Sequence, residues 1–291
     1  MRAPRHFNAI VATGLSAVAL ALLSCGRAHS PCNHACEASK RDTNGCCPEE
    51  PPPQAPPMQA PPNASAARGP APSCSPGMAG LAGGTFAMGD RRDTVTVLPF
   101  CLDVTEVTVA AYASCVHSGQ CTAAATTVDW PNISPADRAT GMYCNGSRAD
   151  RSSHPVNCVD WGQAKTYCQA QGKRLPSEEE WEWAARGGSE GRTYPWGNAT
   201  PNSQLCWSGM TKRDSTCPVG SFPEGDAPGG IHDLGGNVSE WTSNAFDARG
   251  QTRCIRGGGW NLSIPANFHA VLRIGSAPSS RVANLGIRCA R

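Results

Sequence analysis

Residues 172–188 read GKRLPSEEEWEWAARGG. Ser177 and Glu180, three residues apart, have the form of a capping box, in which each side chain satisfies the other's backbone N–H at a helix start. Glu178, Glu179 and Glu180 put negative charge at the positive end of the helix dipole. The stretch predicts a short helix from Glu178 that gives way at Gly187 and Gly188. Just upstream, Asp160-Trp161-Gly162-Gln163 has the same form. A helix is expected from there to about Gln171, with Gly172 placed to end it and with Trp161, Ala164 and Cys168 on one face.

Beyond these two helices the pattern changes. GGTFAMGD (83–90) and TVTVLPFCLDVTEVT (94–108) alternate around turn residues, as strands do. After Gly188 the chain is rich in Gly, Pro, Asn and Ser and reads as loops with short strands at best, held by disulfides and ions.

The first 76 residues are not expected to join this core. Arg2, Arg5 and His6 precede an apolar run from Ala9 to Leu23. A comfortable membrane span takes about 20 apolar residues, so residues 1–24 read as a secretion signal. The run closes in Leu22-Leu23-Ser24-Cys25, which resembles a bacterial lipobox and implies cleavage before Cys25 and lipidation of its thiol. Gly26 follows rather than Asp, which in enteric bacteria points to the outer membrane. The expectation is an exported chain, lipid-anchored to a bacterial membrane. Export fits the 16 cysteines, which pair into disulfides outside the cytosol. Within residues 25–47, Cys32, Cys36, Cys46 and Cys47 read as two local disulfides or a small metal knot. Residues 48–76, PEEPPPQAPPMQAPPNASAARGPAPSCSP, favour polyproline II and read as a tether for a head at 77–291. A net charge of +2 without a basic stripe excludes nucleic acid as the partner.

The head carries GGTFAMGD, EVT at 106–108, HPVNCVDW at 154–161, the 172–188 stretch, YPWGN at 194–198, CPVGSF at 217–222, DLGGNVSEWT at 233–242, RGGGW at 256–260 and NLGIRCAR at 284–291. In that order these pieces resemble the formylglycine-generating enzyme (sulfatase-modifying factor) family, across roughly 77–291. The resemblance implies an α+β fold, a variant of the C-type lectin fold with low regular secondary structure.

DLGGNVSEW also has content of its own. Asp233 and Glu240 supply hard oxygens, and Gly235 and Gly236 let the backbone turn its carbonyls inward, as calcium requires; the same carboxylates could instead cap or bridge the turn. The resemblance implies structural calcium held by the side chains of Asp233 and Glu240 and the carbonyls of Gly236 and Val238. Ser239 stands where the family usually has an aromatic. A second calcium position of the family falls near Leu205, Cys206 and Asp214, where leucine cannot replace an amide ligand.

The resemblance further implies a disulfide between Cys168 and Cys289. Cys206–Cys217 and Cys115–Cys121 are expected from closeness in sequence. Another family disulfide would join the positions of Ala185 and Leu272, where both cysteines are absent together. The two active cysteines of the oxidase fall at the positions of Leu262 and Asn267. Their thiolates hold Cu(I), a soft ion that prefers sulfur, and neither leucine nor a neutral amide can replace them. Copper is therefore not expected, and no catalytic residue is assigned. Cys254 is expected to pair structurally. Trp260 and Arg273 persist where the family lines its peptide groove, although both could equally serve packing.

Three readings follow. The first is a surface-tethered, non-catalytic module that binds a peptide or a carbohydrate. The second is an oxidase that makes formylglycine from a substrate cysteine, which the missing thiols oppose. The third is the related iron-dependent sulfoxide synthase, which needs a histidine-bearing helical domain, whereas His154, His232 and His269 form no facial triad. The first is preferred.

Overall fold

The computed structural model describes residues 70–135 and 143–291, within a compact unit that spans Ser65–Arg291. The chain opens with four short strands, β1 (Met78–Leu81), β2 (Gly84–Met88), β3 (Asp93–Val97) and β4 (Phe100–Asp103). β1 pairs antiparallel with β4, and β2 with β3. The strand pattern read over 94–108 stops early, because Thr108 caps a helix, α1 (Val109–His117), by accepting a hydrogen bond from the Ala111 N–H at 3.1 Å. That helix was not expected. Val109, Tyr112 and Cys115 form its buried side.

The two expected helices form with their capping boxes intact: α2 (Trp161–Ala170), capped by Asp160 and Gln163, and α3 (Glu178–Ala185), capped by Ser177 and Glu180. Gly172 follows α2 at φ +65°, a left-handed conformation open to glycine. Ala164 and Cys168 are fully buried, and Trp161 on the same face is half-buried.

The turn-rich half builds more than isolated strands. β5 (Ser239–Ala245), β6 (Arg253–Arg256), β7 (Ile274–Ser276) and β8 (Leu285–Gly286) form one sheet in the order β7-β6-β5-β8, with β8 parallel to β5 and the other pairs antiparallel. Two main apolar clusters form the core. One gathers Phe86, Phe100, Leu102, Trp181 and Trp183 with Ile231 and Leu234, and the other gathers α1 and α2 with Trp241, Leu285 and Ile287. The buried indoles each find a carbonyl or carboxylate, as a core tryptophan must: Trp183 Nε1 donates to Ala82 O at 3.0 Å and Trp241 Nε1 to Val159 O at 3.0 Å.

Cys168 and Cys289 are bonded, tying α2 to the C-terminal strand region, and Cys115–Cys121 and Cys206–Cys217 are bonded as expected. Two further disulfides join Cys144 to Cys158 and Cys74 to Cys101. The second fixes the last residues of the proline-rich segment to β4. Cys254 departs from expectation: it is a free, fully buried thiol, because β6 points it into the core with no cysteine opposite. Cys25, Cys32, Cys36, Cys46 and Cys47 lie outside the described residues, as do the signal and most of the tether.

Candidate functional site

The stretch 256–273 begins where β6 ends. Arg256 is fully buried, with Nη2 donating to Glu182 Oε2 at 2.5 Å and to Ala270 O at 2.9 Å. Gly257 and Gly258 turn the chain at φ +97° and +74°. A Cβ on Gly258 would stand 2.8 Å from Asn267 O and 2.9 Å from the Phe268 ring, so glycine lets this turn close on the 3-10 segment Pro265–Phe268. Leu262 packs against a cluster of Tyr194, Leu205, Trp207 and Phe268, and its carbonyl accepts from Ser208 N at 2.9 Å. Asn267 sits half-buried in the 3-10 segment. A hydrocarbon and a neutral amide thus occupy these two positions.

Trp260 is buried, donates Nε1 to Ala283 O at 3.0 Å and lies 5.5 Å from the Tyr143 ring. Arg273 grips Glu178 through two bonds of 3.0 and 2.8 Å and stacks 5.0 Å over Phe246. No described bond or ring contact joins Trp260 to Arg273; each is held by its own partners. Cys254 lies behind the Arg273–Glu178 pair. Burial, reinforced by Glu178, pushes its thiol up to about 12. At neutral pH it is therefore a protonated thiol, neither nucleophile nor soft ligand.

A buried charge centre lies beneath β5. Arg288, fully buried, donates from Nε to Glu240 Oε1 at 2.9 Å, from Nη1 to Asp103 O and from Nη2 to His232 O, and its Nη2 lies 2.8 Å from the same Glu240 oxygen in an ion pair. Trp181 Nε1 donates to the other Glu240 oxygen at 2.7 Å. Burial pushes the Glu240 carboxyl up from the ordinary range, against the pull of Arg288 and Trp181. Asp233 accepts from Gly220 N at 2.6 Å, and burial raises its carboxyl too. Glu106 is 1% exposed; it takes a 3.3 Å bond from Asn237 on one oxygen, and its Oε1 has no partner. Burial, with Asp233 beside it, pushes the Glu106 carboxyl well above the usual range.

The histidines stand apart. His154 bonds Thr216 at 2.9 Å, His232 bonds Asp226 at 2.7 Å, and His269 meets the Tyr194 ring edge-on at 5.1 Å.

Comparison with known proteins gives this arrangement a family. Residues 64–291 match the model of the sulfatase-modifying factor enzyme 1-like domain. The chain belongs to the sulfatase-modifying factor family. It is 34% identical over 263 residues to the inactive Cα-formylglycine-generating enzyme 2 of Bos taurus, covering 73% of this chain and 87% of that one. It is 33% identical over 296 residues to the formylglycine-generating enzyme of Streptomyces coelicolor, covering 78% and 93%. Among solved structures, PvdO from Pseudomonas aeruginosa superposes with a TM-score of 0.55 at 25% identity, over 72% of this chain and 92% of that one. The fold is the formylglycine-generating-enzyme variant of the C-type lectin fold. The family holds relatives named as inactive and relatives named as generating enzymes, so activity has to be argued from the site.

For the family's metals the donors decide. Leu262 and Asn267 offer no sulfur, so the site does not fit Cu(I). In the calcium set of Asp233, Gly236, Val238 and Glu240, both carboxylates already accept hydrogen bonds from the protein. Glu240 Oε1 meets Arg288 and Oε2 meets Trp181 inside a fully buried pair, where the guanidinium supplies positive charge. Among the described residues, no three His, Cys, Asp or Glu side chains group to hold a metal ion. At the second calcium position, the Leu205 side chain is buried in an apolar cluster and Cys206 is in a disulfide.

Sequence reasoning did not identify Glu106, Glu182, Arg256 and Arg288 as a buried ionic frame. One signal was available: Glu182 on α3 and Arg186 at its C-cap are spaced i and i+4, and they do pair at 2.9 Å. The Arg256 and Arg288 partners come from distant segments, and no local spacing reveals them.

Proposed function

We propose that the head is a non-catalytic binding module of the formylglycine-generating type, carried on an exported chain that is lipid-anchored at Cys25 and held off a bacterial outer membrane by its proline-rich segment. The observation that carries the loss of catalysis is the absence of thiolate from the 256–273 stretch. Leu262 and Asn267 have no sulfur, and the one free thiol among the described cysteines, Cys254, is buried and protonated. The oxidase chemistry of the family needs a thiolate pair to hold its metal and engage a substrate cysteine. Similarity to relatives named as inactive supports the same reading. The turn at Gly257–Gly259, Trp260 and Arg273 then frame a surface for a peptide or a carbohydrate, without reactive atoms of their own.

The test incubates the copper-supplied protein with oxygen, a reductant and a peptide carrying the CxPxR sulfatase motif, and looks by mass for loss of sulfur. The expected result is no conversion. Conversion at the rate of a working enzyme overturns the reading. Conversion only after Leu262→Cys with Asn267→Cys would identify the missing thiols as the cause. The anchor is tested separately: Cys25→Ser should move the protein to the soluble fraction.

A further inference from the structure

A cavity of 240 Å³ opens beside α2, lined by Trp161, Lys165, Gln169, Arg174, Leu175 and Ser243. It shares no lining residue with the 256–273 stretch. Trp161, Lys165 and Gln169 follow one another at intervals of four, so a single face of α2 supplies half of the lining. Leu175, 3% exposed, and the Trp161 indole give it an apolar floor. The indole is fixed in place, because its Nε1 donates to Thr242 O at 2.8 Å.

Positive charge gathers around that floor. The Arg253 guanidinium lies 4.1 Å from the Trp161 ring centroid and the Lys165 ammonium 5.3 Å from it. Arg174 is neutralised by Glu180 through two bonds of 2.6 Å. Arg253, by contrast, makes a long 3.3 Å bond to Ser243 O, and its buried Nε has no partner. No carboxylate lines the cavity.

We infer that this cavity binds a ring-sized organic anion, a six-membered ring carrying one carboxylate or sulfate. The volume decides the size: drug-sized ligands fill roughly 300–1,000 Å³, so one ring fits here and an extended ligand does not. The floor decides the shape, since an inorganic anion would leave the open part of the half-buried Trp161 indole uncovered. The lining decides the charge, since a neutral ring would leave Lys165 without a counter-ion, and Arg253 against the Trp161 ring adds to the positive field. Gln169 and Ser243 add polar groups that can orient substituents on the ring. An acidic sugar and an aromatic acid share this chemistry, and the binding measurement separates them.

The experiment titrates the full chain with glucuronate, benzoate, glucose and inorganic sulfate, following backbone amide shifts. Saturable shifts at Lys165, Gln169 and Ser243 are expected with glucuronate or benzoate, with glucose and sulfate at least about tenfold weaker. The tighter of the two acids names the source. Lys165→Glu, at an exposed helix position where the fold should stand, should weaken the acid about tenfold or more without moving the melting temperature; Trp161→Leu should weaken it as well. The inference is overturned by equal binding of glucose or of inorganic sulfate, by a Lys165→Glu protein that binds as wild type, or by the absence of saturable shifts.

Discussion

Replacing Arg288 with methionine removes the buried cation while keeping much of the side-chain volume. Glu240 would lose its 2.9 Å guanidinium bond and the ion pair around it, and would keep the Trp181 N–H. Asp103 O and His232 O would lose their donor as well. Removing one partner of a buried pair costs about 3–5 kcal/mol, because the other charge stays buried without compensation. Here Glu106 and Asp233 lie close enough to feel the same guanidinium, which puts the loss at the upper end, about 4–5 kcal/mol. For a domain of this size that lowers Tm by roughly 8–20 °C. Arg256→Met supplies the internal comparison. Glu182 would lose its Arg256 bond but retain Arg186 at 2.9 Å and the Gly89 N–H at 2.7 Å, so its charge stays partly met. Arg256→Met should therefore cost less, about 3 kcal/mol. Adding Glu240→Gln to Arg288→Met should recover part of the loss, since an amide is cheaper to bury than a carboxylate. Urea melts at neutral pH measure all three variants. A smaller loss for Arg288→Met than for Arg256→Met, or a loss under about 1 kcal/mol, would refute the argument that Arg288 is the counter-ion of this centre.

Breaking Cys168–Cys289, which closes a loop of 121 residues, should cost about 5 kcal/mol in the chain-entropy account, read as the drop in urea midpoint of Cys168→Ala with Cys289→Ala. The Cys254 thiol, pushed up to about 12, should resist iodoacetamide at pH 8 in the native protein and react once urea opens the core. Tyr112 and Tyr167 stack at 5.4 Å, and burial pushes both up to about 12. Their folded values lie above the unfolded value of about 10, so their contribution is complete below that pH and is lost as pH rises toward 12; phenolate absorbance and unfolding should appear together in that window. With Glu240 held by Arg288, adding calcium to chelated protein should leave Tm unchanged; a rise abolished by Glu240→Ala would instead restore Asp233, Gly236, Val238 and Glu240 as ligands.

The sequence by itself determined the helices at 161–170 and 178–185, because a capping box is a local contract between residues three apart. It determined the family through the order of its motifs, and three disulfides, one through that resemblance and two through short spacing. It likewise made legible, without coordinates, the residue types at Leu262 and Asn267, on which the proposed loss of catalysis rests. It gave no sign of α1, whose Thr108 cap lies inside a run that alternates like a strand. Only the tertiary structure decided the fate of the charged and sulfur-bearing residues. That Glu240 meets Arg288 depends on a segment 48 residues away in sequence being brought beneath β5. Whether Cys254 pairs depends on what faces β6, and a core carboxylate and an arginine face it instead of another cysteine. Trp161 and Arg253 likewise meet across the chain at 4.1 Å with nothing in their spacing to announce it. Local hydrogen bonding is written within a few residues of itself; the neutralisation of a buried charge is written in contacts between distant segments, and only folding brings those together.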